Sequence, residues 1–194
     1  MAEHDPKQAI TEYVGLPLGI VQSNPPFPVP AQGQTFQGEL RCGGGLGAQE
    51  GTIRFFQERR LSDRQLHEIT FEDEAGQHQH WLCFVVQDQQ GGWYMVGGAN
   101  YSDDPRHSPV RSHPWVNLAG GGWEDHFWAG GLVLNNGLDV VRVRLISKNG
   151  KVLEDLVQDG LVLFITDQKI QVPVQVELYD RAGNRVGTHP CFHR

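Results

Sequence analysis

The feature that most constrains the fold is a series of short alternating segments joined by tight turns between residues 138 and 187. Leu138–Ile146 alternates polar with apolar side chains, and the Asn149-Gly150 pair that follows supplies the positive φ angles of a hairpin turn. Further strands are predicted after it at Lys151–Val157, Leu161–Thr166 and Val172–Tyr179, and the last of these alternates again. A period of two with turns at this spacing predicts antiparallel β-strands.

Strands are also expected in the preceding half of the chain. Trp81–Gln87 is apolar on both faces, which predicts a central strand covered on each side. The segment Gly91–Gly98 predicts its hairpin partner, with the turn at Asp88–Gln90. Shorter β-rich runs predict further strands at Thr35–Leu40, Thr52–Phe56 and His67–Phe71.

The composition agrees with this pattern, because the chain has 24 glycines and 11 prolines without any regular repeat. We therefore predict an all-β protein, an antiparallel β-sandwich of the immunoglobulin-like or jelly-roll type. Residues 34–194 are predicted to form a single β-sandwich domain. The irregular stretch 99–118 is the candidate for a sub-boundary inside it, since structureless loops of that length are uncommon in compact domains.

The first 33 residues are predicted to differ from the rest. Ile10, Val14 and Leu18 recur every four residues, which predicts a short helix from Lys7 to about Gly19. Asn24–Pro30 contains four prolines, which favour an extended polyproline arm. Two alternatives stay open for this Pro-rich arm: it lies across its own domain, or it reaches a neighbouring subunit.

Residues 138–188 resemble immunoglobulin-like or fibronectin-like accessory domains. The resemblance is carried by short strands, by Asn-Gly and Asp-Gly turns, and by the terminal hairpin Tyr179-Asp180-Arg181-Ala182-Gly183-Asn184. The Cys…Trp…Cys pattern of antibody domains is missing. The resemblance implies a sandwich and implies nothing about chemistry.

Charge and cysteine content exclude some classes of function. A net charge of −7 disfavours a phosphate-binding surface, so no nucleic-acid partner is expected. No apolar run approaches the length that spans a bilayer, and the start of the chain lacks the features of a secretion signal, so no membrane partner is expected. Three widely spaced cysteines, Cys42, Cys83 and Cys191, argue against a disulfide framework and predict a cytoplasmic protein.

Two histidine groups have the spacing of metal ligands. His78 and His80 would share one face of a strand, and His189, Cys191 and His193 would share a face of another. Imidazole and thiolate are ligands that zinc prefers in proteins. If the C-terminal segment lay beside residues 78–80, a zinc site would be available, although histidines at turns and termini are usually only solvated. We expect no cofactor, with zinc as the alternative.

Aromatic residues cluster between residues 93 and 128, next to glycine doublets. One interpretation is core packing, with glycines allowing large rings to lie flat on a neighbouring strand. The other is an exposed platform for a carbohydrate or a protein partner, because Trp and Tyr dominate binding hot spots. The candidate binding residues are Trp93, Tyr94, Tyr101, Trp115, Trp123 and Trp128.

These observations favour a non-catalytic β-sandwich that binds a protein partner or assembles with itself, as a structural or accessory subunit and a homo-oligomer. The first alternative is a glycan- or small-ligand-binding module that uses the aromatic residues between 93 and 128. The second alternative is a metal-dependent enzyme that uses His78 and His80 together with the C-terminal His189, Cys191 and His193.

Overall fold

The structure is a computed structural model that describes residues 5–17, 45–101, 113–123 and 126–192. Within these residues the chain forms one short helix followed by eleven strands in three antiparallel sheets, which confirms the all-β prediction. The predicted strand at Thr35–Leu40 and the Pro-rich arm at Asn24–Pro30 lie outside the described residues. Where the structure describes the chain, no helix is both long and apolar enough to cross a membrane.

Helix α1 spans Pro6–Val14 and begins with a capped end. The Asp5 side chain accepts a hydrogen bond from the Lys7 backbone N–H at 3.0 Å, and Pro6 at the first position lacks only an amide hydrogen that a helix start leaves unpaired. The helix ends at Gly15, earlier than the predicted Gly19. Its buried side chains, which pack on the first sheet, are Ile10, Tyr13 and Val14.

The first sheet, sheet A, is a meander of four consecutive strands in the order β1-β2-β3-β4. The strands are β1 (Arg54–Leu61), β2 (Arg64–Glu72), β3 (His78–Gln87) and β4 (Trp93–Asn100). The predicted strand at Trp81–Gln87 is part of β3 and lies inside the sheet, and its predicted hairpin to β4 is present. The β1–β2 hairpin runs through the charged cluster Glu58–Arg64, which lies between the predicted strands Thr52–Phe56 and His67–Phe71, so both strands are longer than predicted.

The other two sheets share the rest of the chain. Sheet B has the order β5-β6-β9, and sheet C has the order β11-β10-β7-β8. The strands of sheet B are β5 (Trp115–Trp123), β6 (His126–Leu134) and β9 (Leu161–Thr166). Those of sheet C are β7 (Val140–Ser147), β8 (Val152–Leu156), β10 (Val174–Asp180) and β11 (Arg185–Cys191). The predicted hairpins β7–β8 and β10–β11 are both present.

The four layers stack in the order helix α1, sheet A, sheet B, sheet C. Three apolar clusters fill the spaces between them. Ile10 of α1 packs with Ile69 and Phe71 of sheet A. Between sheets A and B the cluster contains Leu66, Leu82, Phe84, Trp128 and Leu163. Between sheets B and C it contains Phe127, Ala129, Val143, Val162 and Val176. Sheet B is therefore buried on both faces.

Gly130 of β6 marks a close approach of sheets A and B. A Cβ atom at this position would lie 2.5 Å from Leu163 Cδ2 and 2.9 Å from Leu82 Cδ2, and Leu82 belongs to sheet A. We expect Gly130→Ala to lower the free energy of unfolding by about 1–3 kcal/mol, because the extra methyl group overpacks this space. Urea unfolding followed by circular dichroism measures the loss; unchanged stability would mean that the two sheets are further apart at this position.

The edge strands of the three sheets are aligned on the same two sides of the stack. On one side lie β1, β9 and β8, and on the other lie β4, β5 and β11. Two polar contacts connect β1 to the β8 side: Arg59 Nη2 lies 2.9 and 3.0 Å from the two carboxylate oxygens of Asp155, and the Gln57 amide donates to the Gln158 carbonyl. Sheet A is thus joined to sheet C by a partly buried ion pair.

Candidate functional site

Polar residues in the interior of the stack are concentrated on β2. Both faces of this strand are covered, one by α1 and the other by sheet B, so Arg64, Gln65, His67, Glu68 and Thr70 are all buried. His67 and Glu68 are each only 1% exposed. Because they are adjacent, they point to opposite faces of sheet A. Two ionisable side chains therefore lie in two different apolar layers.

Glu68 faces sheet B and pairs with Tyr101, which follows the last residue of β4. The Tyr101 hydroxyl donates a hydrogen bond to Glu68 Oε1, and the other carboxyl oxygen, Oε2, is buried without a hydrogen-bond partner among the described residues. Burial raises the pKa of Glu68 from its ordinary value of 4.5 to about 7, and the Tyr101 hydrogen bond opposes this rise. The carboxyl group can therefore take up or release a proton near neutral pH.

The rings of His78 and His80 lie in contact with one another between the protein surface and the Glu68–Tyr101 pair. His78 is exposed at the start of β3, and its ring meets that of half-buried His80 edge-on, with centroids 5.4 Å apart. The His80 ring lies 5.6 Å from that of Tyr101, and the Tyr101 backbone N–H donates to the His80 carbonyl at 3.4 Å. Successive ring contacts thus run from an exposed imidazole to Tyr101, whose hydroxyl donates to the buried carboxyl group.

His67 lies on the opposite face of sheet A, in the layer beneath α1. Its Nε2 is 2.9 Å from Gln65 Oε1, and the ring meets that of Phe55 edge-on at 5.9 Å. Burial lowers the pKa of His67 to about 4, although the nearby Glu58 carboxylate opposes this effect. His67 is therefore neutral at physiological pH and serves as a buried packing residue.

The structure distributes the six candidate aromatic residues over several places. Trp93 packs toward α1, half-buried Tyr94 lies at the β3–β4 turn, and Trp115 stacks on buried His189 with ring centroids 3.4 Å apart. Tyr101 and Trp128 are both buried between sheets A and B. Trp123 ends β5, and nothing is described of its side chain. No exposed platform gathers these residues within the described part of the chain.

The candidate metal ligands lie in two different sheets. His78 and His80 are on β3 of sheet A, whereas His189 and Cys191 are on β11 of sheet C, and sheet B separates the two. His193 lies outside the described residues. Among the residues that are described, no group of three or more His, Cys, Asp or Glu side chains is arranged to hold a metal ion. Burial also raises the pKa of the Cys191 thiol to about 12, which disfavours the thiolate form that binds zinc.

Sequence reasoning did not find the Glu68–Tyr101 pair, since the two residues are 33 positions apart and neither belongs to a known motif. One feature of the sequence did indicate a buried position for Glu68. Glu68 lies inside a β-rich run next to the predicted central strand, so it had to enter a covered layer on one face or the other.

Comparison with known protein families, with curated proteins and with solved structures finds no match to this chain. Its function is therefore inferred from the arrangement of its own residues.

Proposed function

We propose that the protein is a non-catalytic β-sheet module that pairs with a second copy of itself. The observation that supports this proposal is a set of exposed apolar side chains on two edge strands that lie on the same side of the stack, which we name the β1–β8 rim: Phe56, Val152 and Leu156. Phe56 and Leu156 are each 57% exposed, and Val152 is 44% exposed. Large apolar side chains grouped at strand edges are typical of interaction surfaces.

The β1–β8 rim has a defined geometry because polar contacts fix its two strands to each other. Gln57, next to Phe56, bonds to the Gln158 carbonyl, two residues beyond Leu156. Phe56 also lies at an irregularity in the β1–β2 register, and such a bulge redirects a side chain away from the regular pleat. A preformed apolar surface loses little conformational entropy when it binds.

The charges around the β1–β8 rim favour a second copy as its partner. β1 contributes the exposed side chains of Arg54 and Arg60, of which Arg60 pairs with Glu58. β8 contributes Glu154 between its two exposed apolar residues, and this carboxylate is shared with Arg142 and Arg144 of β7. A twofold axis would place β1 of one copy against β8 of the other. That arrangement brings apolar residues together and sets arginines opposite a carboxylate in both halves of the interface.

Sedimentation equilibrium of the full chain tests this assembly. We expect a dimer for the unmodified chain, and a monomer for the double variant Phe56→Ser, Leu156→Ser, because both halves of the apolar contact are removed. The matched control is Leu138→Ser, since Leu138 is an exposed apolar residue (46%) in the turn before β7, away from the rim. This variant should remain dimeric.

A wild-type chain that is monomeric at about 100 μM, a concentration well above the Kd of a specific dimer, would contradict the proposal. So would a dimer that persists in the double variant, because the contact would then involve another surface. Circular dichroism of each variant shows that a change of mass is not caused by unfolding.

Two further features are proposed alongside assembly. The resemblance of residues 138–188 to immunoglobulin-like accessory domains supports a structural or accessory role, because sheets B and C contribute short strands and tight hairpins of that kind.

A cytoplasmic location is supported by the described thiols, since Cys83 and Cys191 are both free.

A further inference from the structure

The protein contains a second Glu–Tyr pair, which lies on the outer face of sheet C, where Glu177 is buried and Tyr179 half-buried. In sheet C, Glu177 Oε2 accepts a hydrogen bond from the Tyr179 hydroxyl at 2.6 Å, and Glu177 Oε1 accepts one from Arg185 at 2.8 Å. The Tyr179 hydrogen bond and then the Arg185 guanidinium hold the pKa of Glu177 below its ordinary value. In this pair, each carboxylate oxygen has a donor, and one of the two donors is a cation.

In the Glu68–Tyr101 pair the carboxyl group also accepts a hydrogen bond from a tyrosine, but no cationic side chain among the described residues donates to it. Tyr101 bonds to one carboxyl oxygen, and Oε2 has no donor in the part of the chain that the structure describes. Arg59 of β1 lies on the same face of sheet A, but its guanidinium binds both oxygens of Asp155. A buried carboxyl oxygen without a donor costs about 1–3 kcal/mol, more if the group is charged. The fold therefore keeps an acceptor that its own described side chains do not satisfy.

Aromatic and apolar side chains surround this acceptor. Leu66 and Leu82 flank Glu68, and the cluster continues to Phe84, Tyr101 and Trp128. The indole Nε1 of Trp128 is also buried without a hydrogen-bond partner among the described residues. A carboxylate next to aromatic faces is the combination that binds organic cations, because the ring quadrupoles attract positive charge.

We propose that Glu68 and Tyr101 form a binding site for a small organic cation, whose ammonium or guanidinium N–H groups donate to Glu68 Oε2 as Arg185 donates to Glu177. The alkyl part of such a ligand would lie against the apolar and aromatic side chains of this layer. This inference is independent of dimerisation, which involves β1 and β8.

Binding at this site releases a proton, because the neutral Glu68 carboxyl must ionise to pair with a cation. The balance is a protonated carboxyl plus an ammonium ion giving an ion pair plus a free proton, so affinity rises as the pH rises through about 7. The other ionisable side chains of the described residues on the facing surfaces of sheets A and B include Arg54, Arg59, Arg64, Glu72, His78, His80, Tyr94, Tyr101 and His126.

Isothermal titration calorimetry of the full chain at pH 8 tests the proposal with n-butylammonium chloride, with n-butylguanidinium chloride and with neutral n-butanol. We expect at least one of the two cations to bind, and n-butanol to bind at least about tenfold more weakly. Glu68→Gln should weaken binding of the cation at least about tenfold, because the amide carries no charge. Glu177→Gln is the matched control and should bind as the wild type does.

Carboxyl NMR provides an independent measurement, in which a bound cation should lower the pKa of Glu68. Three results would overturn the proposal: no binding of either cation at about 20 mM, equal binding of n-butanol, or unchanged binding by the Glu68→Gln variant. A Glu68 pKa below 5 in the unliganded protein would also overturn it, because the site would already hold a cation. Sedimentation of Glu68→Gln shows whether dimerisation persists, which separates this test from that of the β1–β8 rim.

Discussion

Replacing Glu68 by glutamine should stabilise the protein at alkaline pH. The carboxyl group has a pKa of 4.5 in its ordinary environment and about 7 in the folded chain. Between these pH values the folded protein keeps a proton that the unfolded chain has released, so the stability of the wild type falls as the pH rises from 4.5 to 7. The amide cannot titrate. At pH 8 the variant should therefore be more stable by up to roughly 3 kcal/mol.

Urea unfolding at pH 4 and at pH 8 measures this effect as the difference between variant and wild type. That difference cancels the contribution of His67, which has the opposite sign: its pKa falls from 6.5 to about 4 on folding, so its stabilising contribution is lost as the pH falls from 6.5 to 4. At pH 4 the two proteins should be nearly equal. A variant less stable than the wild type at pH 8 would show that Glu68 is ionised and paired in the folded state.

The gain in stability expected for Glu68→Gln raises the question of why the buried strand β2 has a carboxyl group at this position. A residue that lowers stability at its working pH is a candidate for function, because natural sequences keep destabilising groups where activity needs them. The same variant should be more stable and should lose the proposed cation site. Finding both effects together would distinguish a functional Glu68 from one that is only tolerated.

Turn chemistry and alternation were sufficient to predict sheet C and the inner part of sheet A. Asn149-Gly150 fixes the β7–β8 hairpin locally, and Leu138–Ile146 has one polar face because one face of sheet C is not covered by another sheet. Information of this kind is contained within a few consecutive residues, so the sequence alone reveals it.

Sheet B was harder to predict because both of its faces are buried. β5 and β6 show no polar–apolar alternation, and their glycines obscure the strand pattern, yet Trp115 to Trp123 pairs without interruption with Leu134 to His126. The strands that flank the charged cluster Glu58–Arg64 were also predicted too short, since Arg59 pairs with Asp155, 96 residues away. Neither the layer order nor such a distant partner can be derived from local pattern.

The distinction between an aromatic core and an aromatic binding surface is decided most directly at Trp128. Its ring stacks on that of Phe84 with centroids 5.8 Å apart, and a Cβ at Gly97 or Gly121 would lie 3.1 or 3.0 Å from the indole. These two glycines, one on sheet A and one on the neighbouring strand β5, leave the space that the ring fills. We expect Trp128→Ala to lower the free energy of unfolding by about 3–5 kcal/mol, the usual cost of truncating a fully packed aromatic residue.

Tyr94→Ala is the appropriate control, because Tyr94 also lies in the aromatic stretch but is half-buried near a turn. It should cost about 1 kcal/mol or less, since little packed volume is lost. Urea unfolding of both variants gives the comparison. Equal and small losses of unfolding free energy would mean that Trp128 is accessible and belongs to an exposed binding surface. A large loss for Trp128→Ala alone would mean that Gly97 and Gly121 accommodate a buried ring. The proposed cation would then bind inside the layer between sheets A and B, next to the Trp128 indole and beside Glu68 and Tyr101, and not on an outer face of the stack.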